Sequence, residues 1–193
     1  MKRSSYYINY FLRQSKRAGD MLVLGLFPNA KEITESMSMY IAVRNHCDVG
    51  TDEIKNEKIL LISVGDGSTP RTAALFAFYT KWVCVSIDPA LHKDMDWEGK
   101  VSRLNVLARK VEDFVFPVPA WFERVFIVNV HSHAGLDLVL PNIRLEDKNT
   151  VVDILALECC TIMDIPGVPF IGYTDQHVWS PKNLVKIWRG VKL

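Results

Sequence analysis

From Lys58 onward, short apolar runs alternate with longer amphipathic or polar stretches, and this alternation constrains the fold more than any other feature of the chain. The runs fall near 59–64 (ILLISV), 82–87 (WVCVSI), 103–108 (RLNVLA), 124–130 (RVFIVNV) and 151–157 (VVDILAL). They are rich in β-branched and aromatic residues with little polar alternation, as expected of strands covered on both faces. Strands separated by helical stretches assemble into a mainly parallel sheet, so the expected class is α/β with helices on both faces. Between the first two runs, TPRTAALFAFYT predicts a helix with Ser68 or Thr69 as N-cap and Pro70 at its first position. The tail PFIGYTDQHVWSPKNLVKIWRG predicts an antiparallel hairpin, two extended runs on either side of Ser180-Pro181-Lys182-Asn183.

The first 57 residues follow a different period. Tyr6, Tyr7, Tyr10 and Phe11, then Ile33, Met37, Tyr40 and Ile41, recur at helical spacing, with breaks expected at Gly19-Asp20 and Pro28-Asn29. The chain therefore divides into a helical extension (1–57) and an α/β core (58–193), at 193 residues the size of a single domain. Its apolar runs fall far short of the roughly 20 residues that cross a bilayer. A net charge of +1 gives no general attraction to nucleic acid, so any basic patch must be local. Lys2, Arg3, Arg13, Lys16 and Arg17 all precede the first acid, Asp20. Such a segment suits an RNA or protein partner, a membrane surface, an organelle-targeting peptide or a solvated helix face. The four cysteines form no C-x-x-C pair, which points to a reducing compartment such as the cytoplasm, with Cys84 as a small buried hydrophobe.

The stretch ILLISVGDGSTPRTAALF carries the first functional signal. A strand turning on Gly65 and Gly67 into a helix lets a ligand approach the backbone and use the free N–H groups of the helix start. Asp88, in SIDP, ends the next strand about twenty residues on, where a carboxylate can accept hydrogen bonds from ribose hydroxyls. Glu112-Asp113-Phe114 follows the third strand, where an acid and a neighbouring N–H can hold an adenine edge and an aromatic ring can cover its face. Taken singly, Asp88 is equally a cap and Glu112-Asp113 a solvated turn.

In this order the motifs resemble the class I S-adenosylmethionine-dependent methyltransferase family, from about Lys58 to the C-terminus: SVGDGST, SIDP, VEDF, a fourth strand ending in VNVHSH and a closing hairpin. The resemblance implies a Rossmann-like sheet and S-adenosylmethionine as cofactor. Gly65 and Gly67 would line its methionine and ribose portions, Asp88 would bind the ribose hydroxyls, and Asp113 with Phe114 would hold the adenine. Two positions depart from the family pattern. Ser63 stands where an acid usually does, so that Asp66 is the partial substitute, and Thr69 stands where a third glycine is usual and is expected to narrow the pocket. A catalytically inactive binding or assembly module of the same fold is the alternative. A nicotinamide enzyme ranks lower, because Pro70 falls where a dinucleotide turn needs its third glycine.

Methyl transfer requires a nucleophile placed in line with the sulfonium methyl and, where necessary, a base for its proton. The resemblance puts acceptor groups at the end of the fourth strand, where Asn129, His131 and His133 are the candidates to position or deprotonate an acceptor. His131-x-His133 is also permissible metal spacing, with Cys159, Cys160 or His177, but nothing completes a zinc pattern. Asp175-Gln176-His177, on the first arm of the hairpin, is a further polar cluster expected to face the same cleft. No Asn/Asp-Pro-Pro-aromatic sequence follows strand four, no lysine lies at 129–133 or 155–160, and Cys159-Cys160 lacks a preceding proline, so no acceptor class is specified.

Overall fold

The computed structural model describes residues 3–158, 165–168 and 170–193. Its strands are β1 (Ile59–Val64), β2 (Val83–Ile87), β3 (Leu104–Leu107), β4 (Phe116–Val118), β5 (Arg124–Val130), β6 (Ile143–Leu145), β7 (Val151–Leu157), β8 (Phe170–Thr174) and β9 (Leu184–Trp188). Its helices are α1 (Tyr6–Arg13), α2 (Ser15–Val23), α3 (Ala30–His46), α4 (Thr51–Lys55), α5 (Arg71–Tyr79), α6 (Trp97–Lys100) and α7 (Leu136–Val139). Seven strands form one sheet in the order β3-β2-β1-β5-β7-β9-β8, and β4 pairs with β6 in a separate parallel ribbon. Within the large sheet β9 is antiparallel to both neighbours, and the remaining pairings are parallel. The strand order reverses between β1 and β5, the switch point where α/β sheets open a crevice for ligands.

The central strands are buried on both faces because their residues are apolar at successive positions: every residue of β1 is buried, as are the last six of β5 and of β7. One face is covered by long helices. Asn29 caps α3 by accepting from the Glu32 amide at 3.2 Å, and α3 packs on α5, β5 and β7. Tyr40, Phe76, Trp82 and Phe126 meet there, with Trp82 stacked on Phe126 at a centroid distance of 4.9 Å. Tyr7, Phe11 and Met21 of the N-terminal helices belong to the same cluster. The opposite face is covered by shorter pieces: Phe122, Val118 of β4, Ile143 of β6, and Leu136 and Val139 of α7 close over Ile62, Ile127 and Ile154. Cys84 is buried, and Cys47 is too, its thiol pushed up to about 12 chiefly by that burial.

Three local expectations are corrected. Gly19-Asp20 lies inside α2, and the chain breaks instead at Gln14 and after Val23. Neither Ser68 nor Thr69 caps α5: Pro70 holds the cap position, and the carboxylate of Asp66 accepts from the Thr72 and Ala73 amides at 3.2 and 3.3 Å. The terminal hairpin forms, but Asp175-Gln176-His177 lies in its connection rather than on its first arm. Cys159 and Cys160 lie outside the described residues. Among the described residues no helix is long and apolar enough to cross a membrane.

Candidate functional site

The strand ends on either side of the switch point finish at one level. Past the last paired residues, the Gly65 amide donates to Ile87 O at 2.9 Å, the Asp88 amide to Leu107 O at 3.2 Å, and the His131 amide to Leu157 O at 3.0 Å. The turns that follow β1, β2, β3 and β5 thus open into one cavity of about 420 Å³, lined among others by Gly65, Gly67, Arg71, Asp88, Val111, Glu112, His131, Ser132 and His133. Its size and position suit a small-molecule ligand.

Glycine is required twice in the first turn. Gly65 and Gly67 have φ of +83° and +81°, a region that side chains disfavour. A Cβ at Gly65 would lie 2.5 Å from the Ser132 side chain, and one at Gly67 would lie 2.9 Å from a guanidinium nitrogen of Arg71. The residue between them turns inward. Asp66 is fully buried, and besides capping α5 it accepts from the Ser86 hydroxyl at 2.8 Å, so its side chain does not line the cavity. Thr69 also faces away: its hydroxyl donates to Leu26 O at 2.7 Å, tying the loop before α3 to the glycine turn without narrowing the cavity. Ser63 is buried and its hydroxyl has no hydrogen-bond partner among the described residues.

At the end of β2, Asp88 accepts from the Gly67 amide at 2.8 Å and the Ala90 amide at 2.7 Å. Each oxygen keeps a second lone pair, and the residue lines the cavity. Beyond β3 the contacts differ from those expected. Lys110, Val111 and Glu112 line the cavity, whereas Asp113 is exposed outside it and Phe114 packs toward the sheet under the Arg109 guanidinium, 5.1 Å from its ring centre.

At the end of β5 the three candidate residues separate. Asn129 is buried outside the cavity wall, and its amide donates to Ala134 O at 3.2 Å, bracing the turn. His131 and His133 line the cavity. His131 has φ of +51°, an uncommon conformation for a residue with a side chain and one that clusters at functional sites. Its Nε2 lies 3.0 Å from Oε1 of Glu35, which Lys31 also contacts at 2.6 Å. Glu35 is fully buried in α3. Burial pushes its carboxyl up, yet His131 and Lys31 together hold it below the ordinary carboxylate range. Glu35 carries a signal that reasoning from the sequence missed: it is the one charged residue between Ile33 and Val43, a stretch otherwise fit for burial.

A second cavity of about 410 Å³, lined by Tyr6, Tyr7, Asn45, His46, Tyr173, Asp175 and His177, lies between α1, α3 and the hairpin. Asp175 accepts there from the Tyr7 hydroxyl at 2.5 Å and the Ser38 hydroxyl at 2.6 Å. The cluster Asp175-Gln176-His177 therefore faces this cavity and not the one at the switch point, which also separates His177 from His131 and His133. Among the described residues no group of three or more His, Cys, Asp or Glu side chains is disposed to hold a metal ion.

The strand order, the single reversed strand β9 and the cavity at the switch point are those of the class I S-adenosylmethionine-dependent methyltransferase fold. The structure is similar to that of a mutant of MtNAS in complex with S-adenosylmethionine, with a TM-score of 0.50 and 13% identity over 98% of this chain and 76% of that one. A mutant 16S rRNA (adenine(1408)-N(1))-methyltransferase with cosubstrate SAM from Catenulisporales acidiphilia is similar at a TM-score of 0.41 and 16% identity, over 76% of this chain and 92% of that one. No protein-family model matches the sequence, and no curated protein sequence matches it.

Proposed function

We propose that the cavity binds S-adenosylmethionine and that the protein transfers its methyl group to an acceptor presented along the His131 and His133 wall. The observation that carries this is the convergence of Gly65, Gly67, Asp88, Glu112 and His131 on one cavity at the switch point. Gly65 and Gly67 admit the ligand to the backbone, and Asp88 keeps lone pairs for ribose hydroxyls. Val111 and Glu112, in place of Asp113 and Phe114, offer an apolar surface and an acceptor to the adenine. Bound there, S-adenosylmethionine would supply an electrophilic methyl group to an acceptor's lone pair, its sulfonium becoming the thioether of S-adenosylhomocysteine. The acceptor's proton passes to His133, which is exposed at the cavity wall, while His131, its ring nitrogens buried, is held against Glu35 with Nε2 at 3.0 Å. Asn129 serves by bracing the turn that presents both histidines. Residues 1–57 and 58–193 act as one domain, and an RNA or protein partner docks on the basic N-terminal helices in a reducing, cytoplasm-like compartment.

Calorimetry with S-adenosylmethionine and S-adenosylhomocysteine tests this proposal. Saturable binding of both, abolished by Asp88→Ala, is expected; no binding by the wild type at millimolar ligand overturns it. The inactive module is favoured by one observation, the buried Ser63 hydroxyl where the family pattern has an acid. That reading gains if Asp88→Ala leaves cellular function intact while charge reversal of the N-terminal helices removes it.

A further inference from the structure

The cavity between α1, α3 and the hairpin shares no lining residue with the one at the switch point. Among the described residues it is lined by one acid, Asp175, and by no lysine or arginine. Asp175 is 4% exposed, and no lysine, arginine or histidine of the described residues forms an ion pair with it. Its charge is met by neutral donors alone. Oδ2 accepts from the Tyr7 and Ser38 hydroxyls at 2.5 and 2.6 Å, and Oδ1 accepts from the His177 amide at 2.9 Å. A carboxylate offers about four lone-pair positions, so Oδ1 keeps one. An anion buried so deeply without a counterion is costly, and a cation beside it in the cavity offsets that cost.

The walls share this preference for positive charge. Tyr6, Tyr7 and His177 form one group of rings, with the Tyr6 and His177 centroids 4.7 Å apart, and His46 with Tyr173 forms a second at 5.4 Å. Aromatic faces attract cations through the ring quadrupole. Asn45 and His46 belong to the last turn of α3, the negative end of the dipole of a 17-residue helix, where cations are favoured. The arginine of that turn is directed elsewhere: the Arg44 guanidinium donates to Val49 O at 3.0 Å and to the Tyr40 hydroxyl, and it does not line the cavity. With one lone pair free, Asp175 suits the point donor of an ammonium better than the fork of a guanidinium, which needs both oxygens. We infer that this cavity is a second ligand site, which binds a primary alkylammonium ion with an N–H on Oδ1 of Asp175 and its charge against the tyrosine rings. The site does not depend on the cofactor assignment, and an absence of S-adenosylhomocysteine binding leaves it standing.

The test titrates the full chain with n-pentylamine, n-pentanol and trimethylpentylammonium at neutral pH, following the tyrosine and histidine ring resonances by NMR. Pentylamine is expected to shift the Tyr173 and His177 resonances and to bind at least about 10-fold more tightly than pentanol, as a charge-assisted hydrogen bond with a cation–π contact requires. The trimethyl compound keeps the charge but has no N–H, and should bind about 3- to 10-fold more weakly than pentylamine. Equal binding of amine and alcohol, tighter binding of the trimethyl compound, or no ring shifts at tens of millimolar amine overturns the inference. Asp175→Asn should abolish the preference for amine over alcohol, and a preserved preference overturns it as well. Asn45→Lys decides the matter if that variant does not fold. Asn45 is exposed and a lysine suits the end of a helix, so the melting temperature should hold, while the tethered ammonium weakens pentylamine binding by at least about 5-fold. Undiminished binding by the folded Asn45→Lys protein overturns the inference. Nα-acetyl-lysine methylamide separates the two sources of such a cation. Binding within about 3-fold of pentylamine assigns the site to a lysine side chain of a partner, and exclusion of the blocked lysine assigns it to a free amine.

Discussion

At Gly65 two demands coincide, a left-handed backbone and a neighbour at 2.5 Å where a Cβ would stand. Gly65→Ala therefore forces a shift of Ser132, the residue between His131 and His133, and deforms both walls of the cavity at once. The expected cost is about 1–3 kcal/mol of stability, read from urea unfolding, with loss of S-adenosylhomocysteine binding. Thr69 is the contrasting case. The family resemblance makes it an obstruction, but its hydroxyl is committed to Leu26 O and its side chain lies outside the cavity. Thr69→Val should cost about 1–2 kcal/mol through the carbonyl left without its donor. S-adenosylhomocysteine affinity should stay within about 2-fold. A large gain in affinity on calorimetry would show that the threonine does crowd the ligand.

At the scale of elements, α3 is a covering helix that also braces the site from behind, because Glu35 reaches His131 from it. A carboxyl held below its ordinary value stabilises the fold above the unfolded value of 4.5, and that contribution is lost as pH falls through the folded value. Glu35→Gln should therefore be less stable than the wild type at pH 7, by on the order of 1–3 kcal/mol as Lys31 loses its counterion. The difference should shrink progressively below pH 4.5. Urea unfolding at pH 7, 5 and 3 checks this, and a gap that stays constant would mean that packing alone accounts for it. The pair also marks a limit of legibility. Strands β1, β5 and β7 have the bounds their apolar runs predict, because burial on both faces leaves a continuous local signature. Gly65, Gly67 and Asp88 are legible for a similar reason: each sits at a strand end that the run itself defines. Glu35 is not, since its role depends on α3 crossing to a strand far along the chain. The swap of Asp113 and Phe114 for Val111 and Glu112 turns on a single 3₁₀ turn, whose phase no period in the sequence specifies. The capping of α5 was equally hidden, because Asp66 reaches forward past two better-placed hydroxyl residues to do it.

At the scale of the whole molecule, the N-terminal helices are joined to the sheet by burial, and this decides how their proposed partner role must be tested. Tyr7 and Phe11 are buried in the same cluster as β5 and β7 residues, and the Tyr7 hydroxyl donates to the buried Asp175. Burial and that hydrogen bond push the Tyr7 phenol up, so it stays a neutral donor across the physiological range. Deleting residues 1–13 removes two large side chains, worth about 1.5–3 kcal/mol each, and strips Asp175 of a donor. Such a truncation should fold poorly, and its loss of function would say nothing of a partner. Arg13, Lys16 and Arg17, by contrast, are exposed. The triple change Arg13→Glu, Lys16→Glu and Arg17→Glu should leave the melting temperature within a few degrees, since exposed charges contribute about 0–1 kcal/mol each. Affinity for S-adenosylhomocysteine should be unchanged, and retention of single-stranded RNA at 50 mM salt should fall by at least about 10-fold, as removal of phosphate contacts requires. RNA retention that survives the reversal would place any nucleic-acid surface elsewhere, and a fall in cofactor affinity would mean that α2 communicates with the cavity through the Thr69 bond to Leu26.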